Sequence, residues 1–341
     1  MKKEIIKIDS TKGGNGDIWM RLVSFYAAAK ILNNVKFKIK VPKFFEQIAI
    51  ESFSDRIEII TDDSKTNHFI KYTNLGIKDL FFSILKGERF ISPYQKAVIN
   101  DKKIKQFKDI VNNLIFYFLD LFGLVLVPNS EWIKHYQGFL DIVAIKEVKK
   151  ISYQKYIDQL DLDTLFFHNK FNYNLPISNE LVVPDDLYAS VLIFPNGTSR
   201  QFIPIWWATK YLPDAYYAFY INDRDSLAFK KEGLKVVYFY KEPGDIIFLS
   251  KHARWTISTD SFPSHLLQFS NQKSTILLTE VLKSRIISPS YKGKVVDSVA
   301  PCHPCLHKAR NISPLCEAGF EECLNWNSSI YSSDVLKSIN S

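Results

Sequence analysis

The chain has 341 residues, of which 46% are hydrophobic and 23% charged, with 26 Phe and 17 Tyr. That length predicts two domains of about 150 residues each, and so apolar and aromatic a composition excludes long disordered stretches. The formal net charge of +8 favours anionic partners, either phosphorylated substrates or anionic lipid. There is no dense Lys/Arg run interleaved with aromatics, which argues against nucleic acid.

The N-terminal stretch MKKEIIKIDS is too short and too charged for a signal peptide, so a cytoplasmic chain is expected. Glu4 to Ile8 reads as a strand and is followed by Lys12-Gly13-Gly14-Asn15-Gly16-Asp17. Ile18, Leu22, Phe25, Tyr26 and Ala29 then recur at helical spacing. Strand, Gly-rich loop and helix in that order open a Rossmann-like unit. Residues 35–165 mix strand and helix patterns whose order the sequence leaves open. The most apolar stretch, Ile110 to Val127, contains Asn112, Asn113, Asp120 and Gly123. It reads as a buried helix, and secondarily as one leaning on a membrane surface, rather than as a span of about 20 apolar residues.

Residues 171–188 carry two prolines among several Asn, Ser and Asp and read as an interdomain linker. Beyond it, strands are expected at Val191–Pro195, Ala215–Ile221, Leu234–Tyr240, Trp255–Thr259 and Ser274–Thr279. Helices are expected from Pro204 to Leu212, from Asp223 to Glu232 with Gly233 as the stop, from Asp245 to Ala253, and from Pro263 to Asn271. Such alternation predicts a parallel, doubly wound sheet. The expected fold is α/β and GT-B-like: an N-terminal Rossmann-like domain over 1–175 and a second over 176–341, facing a central cleft.

Four motifs carry candidate chemistry. In the first, glycines let the backbone approach a ligand closely, and Asp17 stands at the loop–helix junction. A carboxylate there can serve as a base on a hydroxyl or simply cap the helix. Gly14, Asn15 and Gly16 form the loop itself. In the second, Phe194-Pro195-Asn196-Gly197-Thr198-Ser199-Arg200, two hydroxyls and a guanidinium follow a strand end. They suit phosphate oxygens, though an ordinary βα turn accounts for them equally. The third, Asp260-Ser261-Phe262-Pro263-Ser264-His265, also stands at a strand end, where parallel sheets bind ligands. Ser261, Ser264 and the helix N-terminus can hold a diphosphate, and His265 either donates to it or packs in place.

The fourth is Cys302-x2-Cys305-x10-Cys316-x6-Cys323, which holds all four cysteines of the chain. In a cytosolic chain such clustering favours a structural zinc or iron site over reduced thiols or disulfides. His303 and His307 stand nearby as substitutes. The surrounding segment, 299–327, forms a Cys-rich tail.

Taken in order, these motifs resemble those of the ADP-heptose-using heptosyltransferases, glycosyltransferase family 9, over nearly the whole chain. Gly16-Asp17 matches that family's opening Gly-Asp pair, and the resemblance implies that Asp17 is the catalytic base and that the N-terminal domain lies on the acceptor side. The 194–204 segment occupies the place of the family's Pro-Gly-small turn and Trp-Pro helix start, with Gln201 where a lysine is usual and Arg200 beside it. The 260–265 segment looks like a variant of Asp-Thr-Gly-x-x-His, with Phe262 in place of the glycine. Asp223 and Asp225 stand where the family places a carboxylate facing the donor ribose. Autotransporter-modifying relatives carry a C-terminal Cys cluster with iron.

The resemblance implies an inverting, metal-independent transferase. Its donor would be a nucleotide sugar, an ADP-sugar first. Its acceptor would be a glycolipid, polysaccharide or protein, met in the cytoplasm at an anionic inner-membrane surface. Thr198, Ser199, Arg200, Asp225, Asp260, Ser261, Ser264 and His265 would bind the donor. The rival readings are a sugar-nucleotide epimerase and a metal-stapled interaction subunit without chemistry.

Overall fold

The computed structural model describes residues 4–11, 14–31, 35–60, 70–72, 90–91, 125–126, 177–197, 202–240, 242–270, 273–279, 283–287, 291–300 and 326–340. The chain divides into two compact units, Met1–Lys170 and Phe171–Ser341.

In the first unit β1 (Glu4–Asp9) leads into α1 (Asn15–Ile31), then β2 (Val35–Lys40), α2 (Lys43–Phe53) and β3 (Ile57–Ile60). Three short strands follow: β4 (Ile70–Tyr72), β5 (Phe90–Ile91) and β6 (Val125–Leu126). All pairings are parallel, in the order β3-β2-β1-β4-β5-β6. Alternation along β2 buries Phe37 and Ile39 completely. Lys36 and Lys38 fall on its other face, where both bind Glu58 of β3, at 2.8 and 2.5 Å. Those two bonds hold the Glu58 carboxyl below its ordinary range. The buried face receives α1 and α2 through Trp19, Phe25, Tyr26, Phe45 and Phe53, which are at most 2% exposed. Phe53 is the junction, with its ring 5.5 Å from Trp19 and 5.2 Å from Tyr26.

The helix expected over Ile110 to Val127 meets a strand where it is described, since Val125 and Leu126 pair with β5. A two-residue apolar pair carries no periodicity of its own, so the neighbouring strand decides its state. The remainder of that stretch lies outside the described residues. Among the described residues no helix is long and apolar enough to cross a membrane.

The second unit runs β7 (Val191–Phe194), α3 (Ile205–Tyr211), β8 (Tyr216–Tyr220), α4 (Asp225–Lys231), β9 (Lys235–Phe239), α5 (Pro243–His252), β10 (Trp255–Thr259), α6 (Phe262–Ser270), β11 (Ser274–Leu277), α7 (Lys283–Ile286), β12 (Lys294–Val296) and α8 (Ser329–Asn340). Its sheet is parallel, in the order β12-β11-β10-β7-β8-β9. Read from β7, this is the 3-2-1-4-5-6 order of nucleotide-binding doubly wound sheets, and the first unit has the same order read from β1. β7 and β11 are buried throughout, as strands covered on both faces must be. Gly233 ends α4 at φ 79°, a left-handed conformation that only glycine adopts without strain. The core joins Ile193, Ile257 and Leu277 of the sheet to Trp207, Phe229, Trp326, Tyr331 and Val335.

The segment expected as a linker is structural where it is described. The backbone N–H of Ser178 donates to the Asp245 carboxylate, as does that of Tyr240, both at 2.8 Å. Burial nevertheless raises the Asp245 pKa. Asp186 accepts from the Tyr216 hydroxyl at 2.5 Å and from Lys235 at 3.2 Å. The first of these bonds, with partial burial, pushes the Tyr216 hydroxyl up to about 12. Residues 177–190 thus belong to the second unit, because long-range carboxylate contacts override a loop-like composition.

Candidate active site

Both sheets have a switch point, where the strand order reverses beside the first strand, and sheets of this order bind ligands beyond the carboxyl ends at that point. In the second unit it lies between β7 and β10, which pair directly. The two motifs singled out by sequence, after β7 and after β10, therefore sit at one edge of one sheet.

The loop after β7 is closed at its root. Asn196 bridges to Phe202, and the Ile203 N–H donates to the Pro195 carbonyl at 2.9 Å. Thr198, Ser199 and Arg200, carried between those anchors, lie outside the described residues, as does Gln201. The Asn196 side-chain amide donates to Asp223 Oδ2 at 3.1 Å and to Asp225 Oδ2 at 2.9 Å. The other Asp223 oxygen accepts the Asp225 N–H at 2.9 Å, which starts α4. Asp225 is exposed and Asp223 half-buried. Two carboxylates fixed by one amide make an acceptor-rich rim able to receive hydroxyl groups. The role of Asn196 is not visible in the sequence, because its partners come from the next strand's loop.

Beyond β10 the polar groups are mostly held by the protein. Asp260 is 5% exposed, and its oxygens accept from the Thr279 hydroxyl at 2.7 and 2.8 Å and from the Thr279 N–H at 3.1 Å. It thereby ties the end of β10 to the end of β11. Ser264, fully buried, donates its hydroxyl to the Ser261 carbonyl at 2.7 Å. Ser261 and His265 are each 7% exposed. Asp260 and Ser264 thus shape the turn into α6, while Thr279, unremarked in the sequence, is the partner that fixes it. Behind this edge Tyr331 of α8 is wholly buried. Desolvation, then the Asp260 and Asp297 carboxylates, raises its hydroxyl pKa well above the ordinary value.

In the first unit the loop after β1 reaches the switch point between β1 and β4. Asp9 Oδ1 accepts from the Thr11 N–H at 3.0 Å and from its hydroxyl at 2.6 Å. Gly14 and Asn15 are exposed and Gly16 half-exposed. The Gly14 carbonyl accepts the Ile18 N–H at 3.1 Å, so Gly14 takes the capping position. Asp17 is the third residue of α1. The N-cap position is therefore filled three residues before Asp17, and Asp17 lies in the first turn, where the helix dipole favours a carboxylate.

Cys302, Cys305, Cys316 and Cys323 lie outside the described residues. Among the described residues no three His, Cys, Asp or Glu side chains converge as a metal site would require.

No family model and no curated protein matches the sequence. Among solved structures the chain is similar to the glycosyl transferase family 9 protein of Veillonella parvula, with a TM-score of 0.50 and 10% identity over 98% of each chain. The fold is GT-B-like. Similarity extends to E. coli heptosyltransferase WaaC with ADP, at a TM-score of 0.49 and 13% identity over 86% of this chain and 93% of that one. It also reaches E. coli ADP-heptose lps heptosyltransferase II, at 0.45 and 9% over 97% and 99%. The α/β class and paired Rossmann-like domains expected of the sequence hold, and the likeness to family 9 is one of fold.

Proposed function

We propose that this GT-B-like chain is an inverting glycosyltransferase. It moves a sugar, heptose or a relative, from an ADP-sugar or similar nucleotide sugar to a glycolipid, polysaccharide or protein acceptor. The observation that carries this reading is the edge of the second unit's sheet. There the Asn196–Asp223–Asp225 rim and the 260–265 turn flank a switch point of nucleotide-binding order. In this reading Asp17 takes the proton from the acceptor hydroxyl. The acceptor oxygen forms its bond to the anomeric carbon as the bond from that carbon to the diphosphate oxygen breaks. The nucleoside diphosphate leaves with the electron pair, its charge met by Thr198, Ser199, Arg200 and the N-terminus of α6. The basic net charge suits work at an anionic cytoplasmic membrane surface.

The test is release of nucleoside diphosphate from ADP-heptose, then from other ADP-, UDP- and GDP-sugars, with and without lipo-oligosaccharide core as acceptor. Acceptor-dependent release supports transfer. Donor turnover without acceptor and with inversion at a sugar ring carbon indicates an epimerase. Absence of donor binding by calorimetry overturns the reading. Within the same assay Arg200→Ala should weaken donor binding about tenfold or more, the order of one charge-assisted hydrogen bond. Arg200→Lys should restore only part, because an ammonium cannot fork onto phosphate oxygens. Parent-like binding by both variants removes Arg200 from the site.

We further propose that the four cysteines hold one zinc or iron ion with a structural role. Pro301, Pro304 and Pro314 break the tail segment, which offers little apolar periodicity to offset its ordering entropy. Thiolate–metal bonds can supply that ordering. Untagged protein should carry about one metal equivalent by elemental analysis, since a four-thiolate set closes one tetrahedral shell. Cys302→Ser should lose the ion and thermal stability together. Metal-free protein of parent stability refutes the site.

A further inference from the structure

Arg21 is completely buried on α1, and an arginine is almost never found so unless its charge is engaged. Its Nη2 donates to the Ser10 carbonyl at 3.3 Å. Ser10, itself fully buried, is the first residue beyond β1, and its N–H donates to the Lys40 carbonyl at 2.8 Å. From the other side Asp9 fastens Thr11 by two bonds. The Gly-rich loop that follows is thus anchored to the ends of β1 and β2 and, through Arg21, to the helix it feeds. Arg21 stands four residues after Asp17 on α1, about one turn further along the helix. On the same helix Trp19 and Tyr26 lock against Phe53, which leaves little freedom for α1 to shift.

We propose that Arg21 is a positioning residue for sugar transfer. By bonding the carbonyl at the root of the loop from within α1, it fixes the spacing between the β1 edge and the first turn of α1, and so the place from which Asp17 acts. Arg21 touches neither donor nor acceptor in this scheme, and the inference rests on Asp17 being the general base. The α1 periodicity predicts Ile18, Leu22 and Phe25 as the core face and draws no attention to Arg21, because a buried cation breaks the apolar pattern.

The experiment measures kcat and the donor KM with the nucleotide sugar turned over in the panel above, ADP-heptose first, and follows folded fraction by circular dichroism. Arg21→Ala should lower kcat about 10–100-fold, the penalty of misplacing a catalytic group by about an ångström, with the donor KM within about threefold of the parent. Because Arg21→Ala leaves a buried space of guanidinium shape, millimolar guanidinium should recover part of its kcat and none of that of Asp17→Asn. Arg21→Lys keeps the charge but not the fork. It serves as the second variant should the alanine form fail to fold, and it should also lose kcat at unchanged folded fraction. Parent-like kcat in a folded Arg21 variant, or a loss that merely tracks unfolded protein and resists guanidinium, overturns the inference. If Asp17→Asn retains turnover, the reading of Asp17 fails and this inference falls with it. If Asp17→Asn is inactive while folded Arg21 variants are not, the inference alone falls.

Discussion

Asp17→Asn is expected to reduce sugar transfer by about 10²–10⁴-fold, the contribution typical of a general base, while donor affinity stays within a few-fold of the parent. The split follows from where the groups stand. Asp17 belongs to the first unit, in the first turn of α1, whereas the Asn196–Asp223–Asp225 rim and the 260–265 turn belong to the second. An amide is close in size to the carboxylate but cannot take a proton, so the variant tests basicity rather than packing. A carboxylate in a first helical turn also gains a few tenths of a kcal/mol from the dipole, a loss too small to confound the kinetic effect. Kinetics at saturating donor, with calorimetry for donor affinity, decides the matter. Near-normal turnover, or an equal loss of donor binding, removes Asp17 from the base role.

Trp207→Ala is expected to cost about 3–5 kcal/mol of stability, the range for truncating a fully buried large aromatic. At the usual scaling for a domain of this size, that lowers the melting temperature by about 6–20 °C. Trp207 is wholly buried on α3. Its ring centroid lies 4.8 Å from that of Trp326 and 5.2 Å from that of Tyr211, and its Nε1 donates to Ser332 Oγ on α8 at 2.9 Å. One side chain therefore joins α3, the approach to α8 and the sheet core. Trp207→Phe keeps most of the ring and breaks the hydrogen bond, and should cost about 1–3 kcal/mol as an unsatisfied buried partner does. Thermal melts of both variants, compared with donor binding at low temperature, check the argument. A loss below about 1 kcal/mol for Trp207→Ala would mean that α8 does not depend on this contact.

Much of the second unit was legible in advance because its signals are local. Alternating strands and helices, Pro204 before α3 and Gly233 after α4 each mark a boundary by their own backbone chemistry. The strand Trp255–Thr259 has the bounds that its composition predicts. Part of the candidate site was legible for the same reason, since a loop rich in Gly, Ser and Asp after an apolar strand marks a carboxyl end wherever the strand later packs.

What the sequence by itself determined is the α/β class, the succession of elements in the second half, and which loops stand at the ends of β1, β7 and β10. The tertiary structure alone decided how those loops are used. Strand order brings β7 beside β10 and places two motifs about 65 residues apart at one switch point. It also gives Thr279 to Asp260, Asp223 and Asp225 to Asn196, Asp245 to Ser178, and the Ser10 carbonyl to Arg21. Each of these bonds joins groups that periodicity cannot relate, because a hydrogen bond depends on distance in space. The deep burial of Asp260 and Arg21, which makes such partners necessary, comes from the packing of neighbouring strands and helices.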